Sequence, residues 1–388
     1  STFALAHSVW FLGVQAQTYS MATAALSGGL LLVLAYLATR RLGLLYLMGL
    51  VFGLGISAHM MSQVGFAVIM VWLAAKCARR EISIWSIVMV ILSWAIGAFL
   101  LWVVMVTEYR RSGDMAGTIA SAIWGEWGSA VFNVGRLVFL LKRSVLFFVL
   151  NFPTPLVLLA IPGVWFSFRR LGNHTGAWLL AICSGAYVLF AVRYDVPNQN
   201  NFFLPMYMFV SIYIGLGFAF LMKKNLVLWR VMTGLLLIAI PPTYLGLSGY
   251  ARANDIALGT RRHIPYRDVY EYYLLPWQHG QTGPRRLVKE VFEKAPSGAI
   301  LLLDSTLVPV FRYAHEIESQ RPDISVFEFH EIKENWRDVM RSGRRLFAFS
   351  DVEGYYPQWV ESKQWLKPFA ISDIEYIFEI VVPSSGKP

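Results

Sequence analysis

Long apolar runs alternate with short polar connections through the first two thirds of the chain. A hydrocarbon core about 30 Å thick requires roughly 20 apolar residues for one helical crossing. Runs of this kind predict eight membrane-spanning helices, of which the second and third are short. The predicted spans are 20–39, 42–58, 64–78, 83–106, 144–167, 176–192, 203–222 and 226–246.

Basic residues mark every second connection between the predicted spans. The clusters are Arg40 with Arg41, Lys76 with Arg79 and Arg80, Arg169 with Arg170, and Lys223 with Lys224. Because Lys and Arg are enriched in cytoplasmic loops, these four connections are predicted to be cytoplasmic. The opening segment 1–19, the loop 107–143, the loop around Asp195 and the C-terminal region then lie on the opposite face.

Composition agrees with a polytopic membrane protein, since 56% of the residues are hydrophobic, 15% are charged and the mean hydropathy is +0.50. Residues 1–246 carry 16 Lys or Arg and five Asp or Glu, whereas residues 247–388 carry 18 and 19. The basic excess therefore belongs to the membrane half. It indicates loop topology and contact with lipid head groups rather than with nucleic acid. Cys77 and Cys183 lie in apolar stretches, and no disulfide is expected.

The loop 107–143 contains the stretch "GTIASAIWGEWGSAVFNVGRLVFLLKR", in which Trp, Phe and Leu are interleaved with Arg and Gly. This pattern is typical of a helix that lies in the membrane interface. The alternative is a basic, aromatic platform for the phosphate of a lipid.

Glu81 precedes a predicted span at a cytoplasmic connection, where we expect a helix cap.

The periodicity changes from residue 285 onward. The apolar stretches "AILLLDS", "ISVFEF" and "RLFAFS" alternate with amphipathic helical segments, which predicts a small parallel sheet with right-handed crossovers. A further stretch, "IEYIFEIVV", is predicted to add an edge strand. Residues 285–388 are thus expected to form an extramembrane α/β domain. Residues 247–284 are expected to form a connector that lies against the membrane surface.

Asp304 ends the first predicted strand of this domain. Doubly wound sheets bind ligands at that edge, but Asp at a strand-to-helix junction is also a common helix N-cap. The cap is the favoured interpretation.

Asp195 is the most conspicuous acid of the membrane half. It lies between two predicted spans and is followed by four amide side chains, Asn198, Gln199, Asn200 and Asn201. A carboxylate in this setting is suited to orienting a sugar hydroxyl or to binding a divalent cation. The alternative is a turn whose Asp and Asn side chains satisfy free backbone groups. His7 and His59 are predicted on the same face, which suggests a polar pocket.

Four stretches, in this order, resemble a family of membrane proteins related to the bacterial protein O-mannosyltransferases, within the GT-C class of glycosyltransferases. They are "AHSVWFLGVQAQTYS", "GLVFGLGISAH", "YDVPNQNNFFLPMYMFVSIYIGLG" and "APSGAILLLDSTLVPVFRYAHEIESQRPDISVFE". The resemblance covers nearly the whole chain. It implies about eight GT-C-like spans followed by an extramembrane α/β domain with an Arg-Pro-Asp turn.

The resemblance also implies a transferase of the bacterial inner membrane that takes a sugar from a polyprenyl-phosphate carrier at the periplasmic face. Such a reaction needs a carboxylate to orient the acceptor and a basic group to stabilise the leaving phosphate. Asp195 and Glu108 are the candidate acids, and Arg110 and Arg111 are the candidates for the lipid phosphate. The expected substrate-binding residues are His7, Gln17, Tyr19, His59, Asn198 and Asn200.

Two departures from the family pattern support a different hypothesis. The acid that GT-C enzymes carry after a first span is expected upstream of Ser1 or on another chain, and Gln17 stands where the family has Glu. An amide cannot accept a proton from a hydroxyl group at neutral pH. The chain is then a catalytically silent relative that serves as a structural or assembly subunit with partner chains in the membrane. A transporter is disfavoured because the spans carry almost no ionisable residues.

Overall fold

The computed structural model describes residues 2–14, 17–124, 135–170, 174–196, 199–223, 225–258, 262–329, 331–332 and 336–382. The chain divides into two compact units, Ser1–Leu247 and Ser248–Pro388, each with its own hydrophobic core.

The first unit is helical. Its helices are α1 Thr2–Leu5, α2 His7–Gly13, α3 Thr18–Thr39, α4 Gly43–Ala58, α5 Gln63–Ala78, α6 Ile84–Gly97, α7 Phe99–Ser112, α8 Met115–Trp124, α9 Leu137–Asn151, α10 Ala160–Arg170, α11 His174–Arg193, α12 Leu204–Met222, α13 Leu226–Ile238 and α14 Ile240–Ala253, whose last six residues belong to the second unit.

Length and composition make this unit a polytopic helical membrane domain. Within the described residues, five helical stretches are long and apolar enough to cross a bilayer, or up to seven when each of two bent helix pairs is counted as one span. Helix α4 is apolar but shorter. The predicted class is therefore confirmed, whereas the number of eight spans remains a prediction.

The predicted span 144–167 is wrong as a single helix. Helices α9 and α10 are joined by a 3₁₀ turn at Pro155–Leu159, and the pair is bent by 103°. The cause is local, because Pro153 and Pro155 both lack the N–H group that a helix needs, and each disfavours helical backbone in the residue before it. Thr154, between the two prolines, is accordingly extended, with φ −124° and ψ 158°.

The predicted span 83–106 is also divided. Helices α6 and α7 are bent by 63° at Ala98. Gly97, immediately before the bend, lies against the backbone of α4, where a Cβ atom would come within 2.2 Å of the Leu50 carbonyl oxygen. The close packing of α6 on α4 therefore ends where the chain changes direction.

Helices α10 and α12 cross at a pair of glycines. A Cβ atom on Gly163 would lie 1.8 Å from the Tyr213 carbonyl oxygen, and one on Gly217 would lie 1.9 Å from the Leu159 carbonyl oxygen. Such backbone approach is how helices pack in a membrane, where small residues at the crossing maximise van der Waals contact. The two glycines thus fix the geometry of this crossing.

The opening segment forms two short helices that belong to the core of the helical unit. His7, Ser8 and Leu12 are buried. The Ser8 N–H donates to Asn151 Oδ1 at 2.8 Å, and Asn151 Nδ2 donates to Ser8 Oγ at 3.1 Å. The segment is therefore tied to the end of α9, immediately before the proline break.

Glu81 does not cap the helix that follows it. The N-cap of α6 is Ser83, whose hydroxyl oxygen accepts the Ser86 N–H at 3.3 Å. Glu81 instead forms an ion pair with Lys76, whose ammonium group also lies 5.5 Å from the centre of the Trp72 ring. The carboxylate stabilises a largely buried lysine at the end of α5.

The second unit is an α/β domain built on a five-stranded sheet. Its elements are α15 Val269–Leu274, α16 Gly283–Lys294, β1 Ile300–Leu303, α17 Val308–Arg312, a π-helical turn at Tyr313–Ile317, β2 Ser325–Glu328, α18 Trp336–Arg341, β3 Leu346–Ala348, β4 Leu366–Ala370 and β5 Tyr376–Ile380. Apolar clusters cover both faces of the sheet.

The strand order is β2-β1-β3-β5-β4, with β1 parallel to β2 and β3 and with the remaining pairs antiparallel. The three predicted parallel strands are thus confirmed. The stretch "IEYIFEIVV" forms β5, which is an internal strand, so its prediction as an edge strand is wrong. The edge on this side of the sheet is β4, whose sequence "LKPFA" carries a Lys and a Pro and gives no strand signal.

Candidate functional site

Asp195 lies just after α11 and is held by two arginines. Arg143 Nη2 donates to Asp195 Oδ1 at 3.0 Å, and Arg136 Nη1 donates to Oδ2 at 3.1 Å. The Asp195 side chain is 12% exposed, the Arg143 side chain 23% and the Arg136 side chain 58%. We call these three residues the Asp195 cluster; Arg143 is its inner cation and Arg136 its outer cation.

Helix α9 and its first residues place both cations. Arg136, Phe139 and Arg143 are spaced three and four residues apart, so they share one helical face. The two guanidinium groups lie 4.6 Å and 5.2 Å from the centre of the Phe139 ring. Each guanidinium thus rests on an aromatic surface, which favours a fixed orientation over free rotation.

Gln199 adds a second support for the inner cation. Arg143 Nε donates to Gln199 Oε1 at 2.7 Å, and Gln199 Nε2 donates to the Ala191 carbonyl oxygen at 2.8 Å. Gln199 is fully buried. Its amide therefore connects Arg143 to the last turn of α11, the helix that precedes Asp195.

The cluster carries two positive charges and one negative charge, and this balance favours an anion. Asp195 accepts from an arginine on each oxygen, so it is poorly placed to act as a general base or to bind a cation. No group of three or more His, Cys, Asp or Glu in the described ranges is arranged to hold a metal ion. A guanidinium has more N–H donors than these contacts use, and Arg136 has the most exposed of them.

An aromatic cluster lies beside Asp195. Tyr194 contacts Phe202 at 4.5 Å between ring centroids, Phe202 contacts Tyr19 at 5.2 Å, and Tyr19 contacts His59 at 4.7 Å. The structure therefore brings Tyr19 and His59, both expected to bind substrate, to the same end of the helical unit as Asp195. Sequence separation conceals this arrangement, because the four rings come from three stretches of the chain, around residues 19, 59 and 194–202.

The tautomer of the neutral His59 ring follows from its contact with the backbone. Its Nδ1 accepts the Met61 N–H at 3.0 Å, so in the neutral ring the proton resides on Nε2. His59 thereby begins the 3₁₀ turn Met60–Ser62 and presents a hydrogen-bond donor on its other nitrogen.

His7, Gln17, Asn198 and Asn200 were also predicted to bind substrate. His7 stacks on Phe11 at 6.0 Å and meets Tyr244 edge-on at 5.5 Å, so its ring is a packing element of the opening segment. Gln17 is exposed at the residue before α3, and its side chain makes no cap hydrogen bond there. Asn200 is half-buried in a 3₁₀ turn at Gln199–Phe203, and Asn198 lies outside the described residues.

Glu108, Arg110 and Arg111 are exposed on the last turn of α7. Glu108 lies 4.0 Å from Arg111, one turn along the same helix. The residues that accompany Asp195 are instead Arg136 and Arg143, which sequence reasoning did not assign to it. Their signal was present in the "GRLVFLLKR" pattern, where a basic and aromatic face recurs at helical spacing.

In the α/β unit, Asp304 is neither an exposed ligand nor the N-cap of α17, for which the N-cap residue is Leu307. It forms a buried, bidentate ion pair with Arg262, with one contact at 2.8 Å, and it also accepts the Thr306 N–H at 2.8 Å. The Arg262 guanidinium lies 4.4 Å from the centre of the Tyr355 ring. The favoured cap interpretation is therefore wrong, although the carboxylate does satisfy a backbone donor of the turn.

Comparison of the chain with protein-family models, with curated proteins and with solved structures found no match. The resemblance to the GT-C class therefore remains a prediction from the quoted motifs.

Proposed function

We propose that the chain is a GT-C-like glycosyltransferase that uses a polyprenyl-phosphate-linked sugar, and that the Asp195 cluster binds the phosphate. The observation that carries the proposal is the convergence of Arg136 and Arg143 on one carboxylate. Arginine pairs are suited to phosphate because their planar donors match its oxygens. An aromatic ring such as that of Tyr19, which is only partly buried, is suited to sugar stacking.

In the proposed reaction, the bond between the sugar's anomeric carbon and the phosphate oxygen breaks while an acceptor oxygen bonds to that carbon. The electron pair of the broken bond stays with the polyprenyl phosphate, and the acceptor proton passes to a base. Arg136 and Arg143 stabilise the charge that develops on the leaving phosphate. Asp195 orients the two arginines, and because its oxygens accept from them, the proposal assigns the base to another group.

The proposed location is the non-cytoplasmic face of a bacterial inner membrane, and the predicted positions of the basic connections support it. Both the sugar and its carrier then reach the site without crossing the membrane core.

A second candidate function is a catalytically silent relative that binds the lipid phosphate without sugar transfer. The engagement of Asp195 by two arginines favours it, as does the amide at Gln17, because neither side chain is a ready proton acceptor. Both candidate functions include binding of the lipid phosphate, and only the first includes sugar transfer.

The test uses the full chain in lipid nanodiscs with a polyprenyl-phosphate hexose. Binding and release of polyprenyl phosphate are measured for the wild type, for the pair Arg136→Gln with Arg143→Gln, and for a control pair, Arg110→Gln with Arg111→Gln. We expect the first pair to weaken binding about tenfold or more and the exposed control pair to leave it nearly unchanged. If both double variants bind polyprenyl phosphate as tightly as the wild type does, the Asp195 cluster is not the phosphate site.

The variant Asp195→Asn distinguishes the orientation of the two arginines from their binding of phosphate. Removal of the carboxylate leaves both arginines available to phosphate but no longer oriented, so we expect binding to persist and sugar transfer to be lost. Full transfer in this variant would show that Asp195 has no part in the reaction. Tight binding without release in the wild type would favour the silent relative.

A further inference from the structure

The parallel part of the α/β unit has a topological switch point. The chain passes from β1 to β2 on one side and then crosses to β3 on the other side of β1. In open α/β sheets, ligands bind in the crevice outside the carboxyl ends of the strands at such a point. Asp304 directly follows β1, and the segment that leads to Tyr355 follows β3. A ligand at this switch point would therefore lie between the segment that follows β1 and the segment that follows β3.

Arg262 contacts both of these segments. Its guanidinium bridges the two segments, since it pairs with Asp304 and stacks on Tyr355. Both members of the ion pair are buried, with side-chain exposures of 3% and 6%. The charge of Asp304 is thus neutralised internally, and any ligand must be recognised by other groups.

Arg267 is the second cation of this region. Its guanidinium lies 4.7 Å from the centre of the Tyr272 ring and 5.7 Å from that of Tyr273. Burial raises the pKa of Tyr273, and the nearby Arg267, Tyr272, Tyr355 and Arg262 also act on it, so Tyr273 lies in the neighbourhood of both arginines. The structure thus surrounds one half-buried arginine with tyrosine rings.

The nearest acids along the chain are already engaged by another cation. Asp268 lies 2.6 Å and Glu271 lies 3.3 Å from the Arg252 guanidinium. Within the described part of the chain, Arg267 has no carboxylate within ion-pair distance, and its buried Nε has no hydrogen-bond partner. A buried donor without a partner is costly, and a bound oxyanion would supply that partner.

We propose that Arg267, Tyr272 and Tyr273 form a phosphate-binding site at the β1–β3 switch point of the α/β unit. Arg267 provides the charge and the planar donors, the Tyr273 hydroxyl provides a further donor, and the ring of Tyr272 supports the guanidinium of Arg267. The phosphate belongs either to a soluble phosphate ester or to a lipid head group. This inference is independent of the proposed transferase activity.

The test uses the full chain in nanodiscs made of zwitterionic lipid. In one arm, pyrophosphate is titrated and hydrogen–deuterium exchange of residues 262–275 is followed; in the other, the nanodiscs contain phosphatidic acid. Saturable protection in the first arm identifies a soluble ligand, and protection in the second arm alone identifies a head group. Protection in neither arm would overturn the proposal.

Arg267→Ala is compared with Arg341→Ala, which removes the same charge at the end of α18, next to the amino end of β3. We expect Arg267→Ala to weaken binding by at least about tenfold and Arg341→Ala to change it less than about twofold. Equal affinities in the two variants would overturn the proposal. Tyr273→Phe keeps the ring and removes only the hydroxyl, so it provides a second test if Arg267→Ala disturbs folding. We expect about threefold to tenfold weaker binding from it, and unchanged affinity would remove Tyr273 from the site.

Discussion

Ser8 and Asn151, although 143 residues apart in the chain, are joined by two reciprocal hydrogen bonds. Asn151 also donates to the Phe147 carbonyl oxygen at 2.8 Å, one turn earlier in α9. Both side chains are almost completely buried, with exposures of 1% and 2%. The opening segment is therefore held in the helical unit by polar contacts that have no competing water.

Replacement of Asn151 by Ala is expected to destabilise the protein by about 1–3 kcal/mol, because it leaves the Ser8 N–H and hydroxyl without these partners in a buried position. Thermal unfolding of the purified protein in detergent measures the effect. Asn254→Ala is the matched control, since Asn254 is exposed and, among the described residues, its side chain donates to the Tyr250 carbonyl oxygen one turn earlier. Equal stability of the two variants would contradict a structural role for the Ser8–Asn151 pair.

Two glycines of α12 are expected to respond oppositely to the same substitution. Gly217→Ala forces a methyl group against the Leu159 carbonyl, and the expected cost is about 1–3 kcal/mol. Gly215→Ala meets no atom within 4 Å, and it gains up to about 1 kcal/mol from higher helix propensity. Melting temperatures of both variants in one detergent provide the comparison. Stabilisation by Gly217→Ala would show that the α10–α12 crossing is looser than described.

The two arginines of the Asp195 cluster are expected to differ in their effect on stability. Arg143→Ala removes the inner cation together with its bonds to Asp195 and Gln199, at a cost of about 2 kcal/mol. Arg136→Ala removes the outer cation, which is more than half exposed, and we expect less than about 1 kcal/mol. Denaturant titration of both variants tests the order. A larger loss from Arg136→Ala would mean that Arg136 is buried by a surface other than those described.

The Arg-Pro-Asp turn makes the α/β unit sensitive to acid. Arg321 donates to both oxygens of Asp323 at 2.9 Å, and the Gly298 N–H donates to Oδ2 at 3.2 Å. The Arg321 bonds, followed by the Gly298 N–H, hold the pKa of Asp323 well below its ordinary value of 3.8. A carboxyl group whose folded pKa is depressed contributes stability above its unfolded pKa, and this contribution is lost as the pH falls through and below about 4.

Asp323→Asn is therefore expected to lower stability at pH 7 and to reduce the difference in melting temperature between pH 7 and about pH 2.5, where much of the contribution of the carboxylate is lost. The measurement is thermal unfolding of the full chain at both pH values, with hydrogen exchange of β1 and β2 as the local readout. Asp338→Asn is the control, because Asp338 is 79% exposed and lies 3.8 Å from Arg341. The same pH response in both variants would exclude the turn as its source.

Sequence patterns located the apolar helices and the three parallel strands because each depends on local periodicity. They did not locate the bends at Ala98 and at Phe152–Thr154, since a run of apolar residues continues through both. The prolines at 153 and 155 were a readable signal for the second bend. The first depends on how Gly97 packs against α4, which is a tertiary contact.

The candidate site was recovered only in part, for a related reason. The sequence identified Asp195, Tyr19 and His59 as residues of interest but gave Asp195 a cation or a sugar as its partner. Its actual partners, Arg136 and Arg143, come from the far side of residues 144–193, and no local pattern reports that pairing. In the α/β unit, the same limit applies to Arg262 and Asp304, which are 42 residues apart.

The 103° bend between α9 and α10 affects the membrane topology because it changes the number of complete crossings that precede the later connections. Every complete crossing reverses the side on which the next connection emerges, whereas a helix pair that enters and leaves by one face reverses nothing. The path of this pair therefore changes the side of all later connections, and of the α/β unit with them, and the bent pair α6–α7 has the same effect on the connections that follow it. The two prolines after Asn151 thus affect more than their own turn. They determine the path of α9 and α10, and the side of the membrane on which more than half of the chain lies depends on that path.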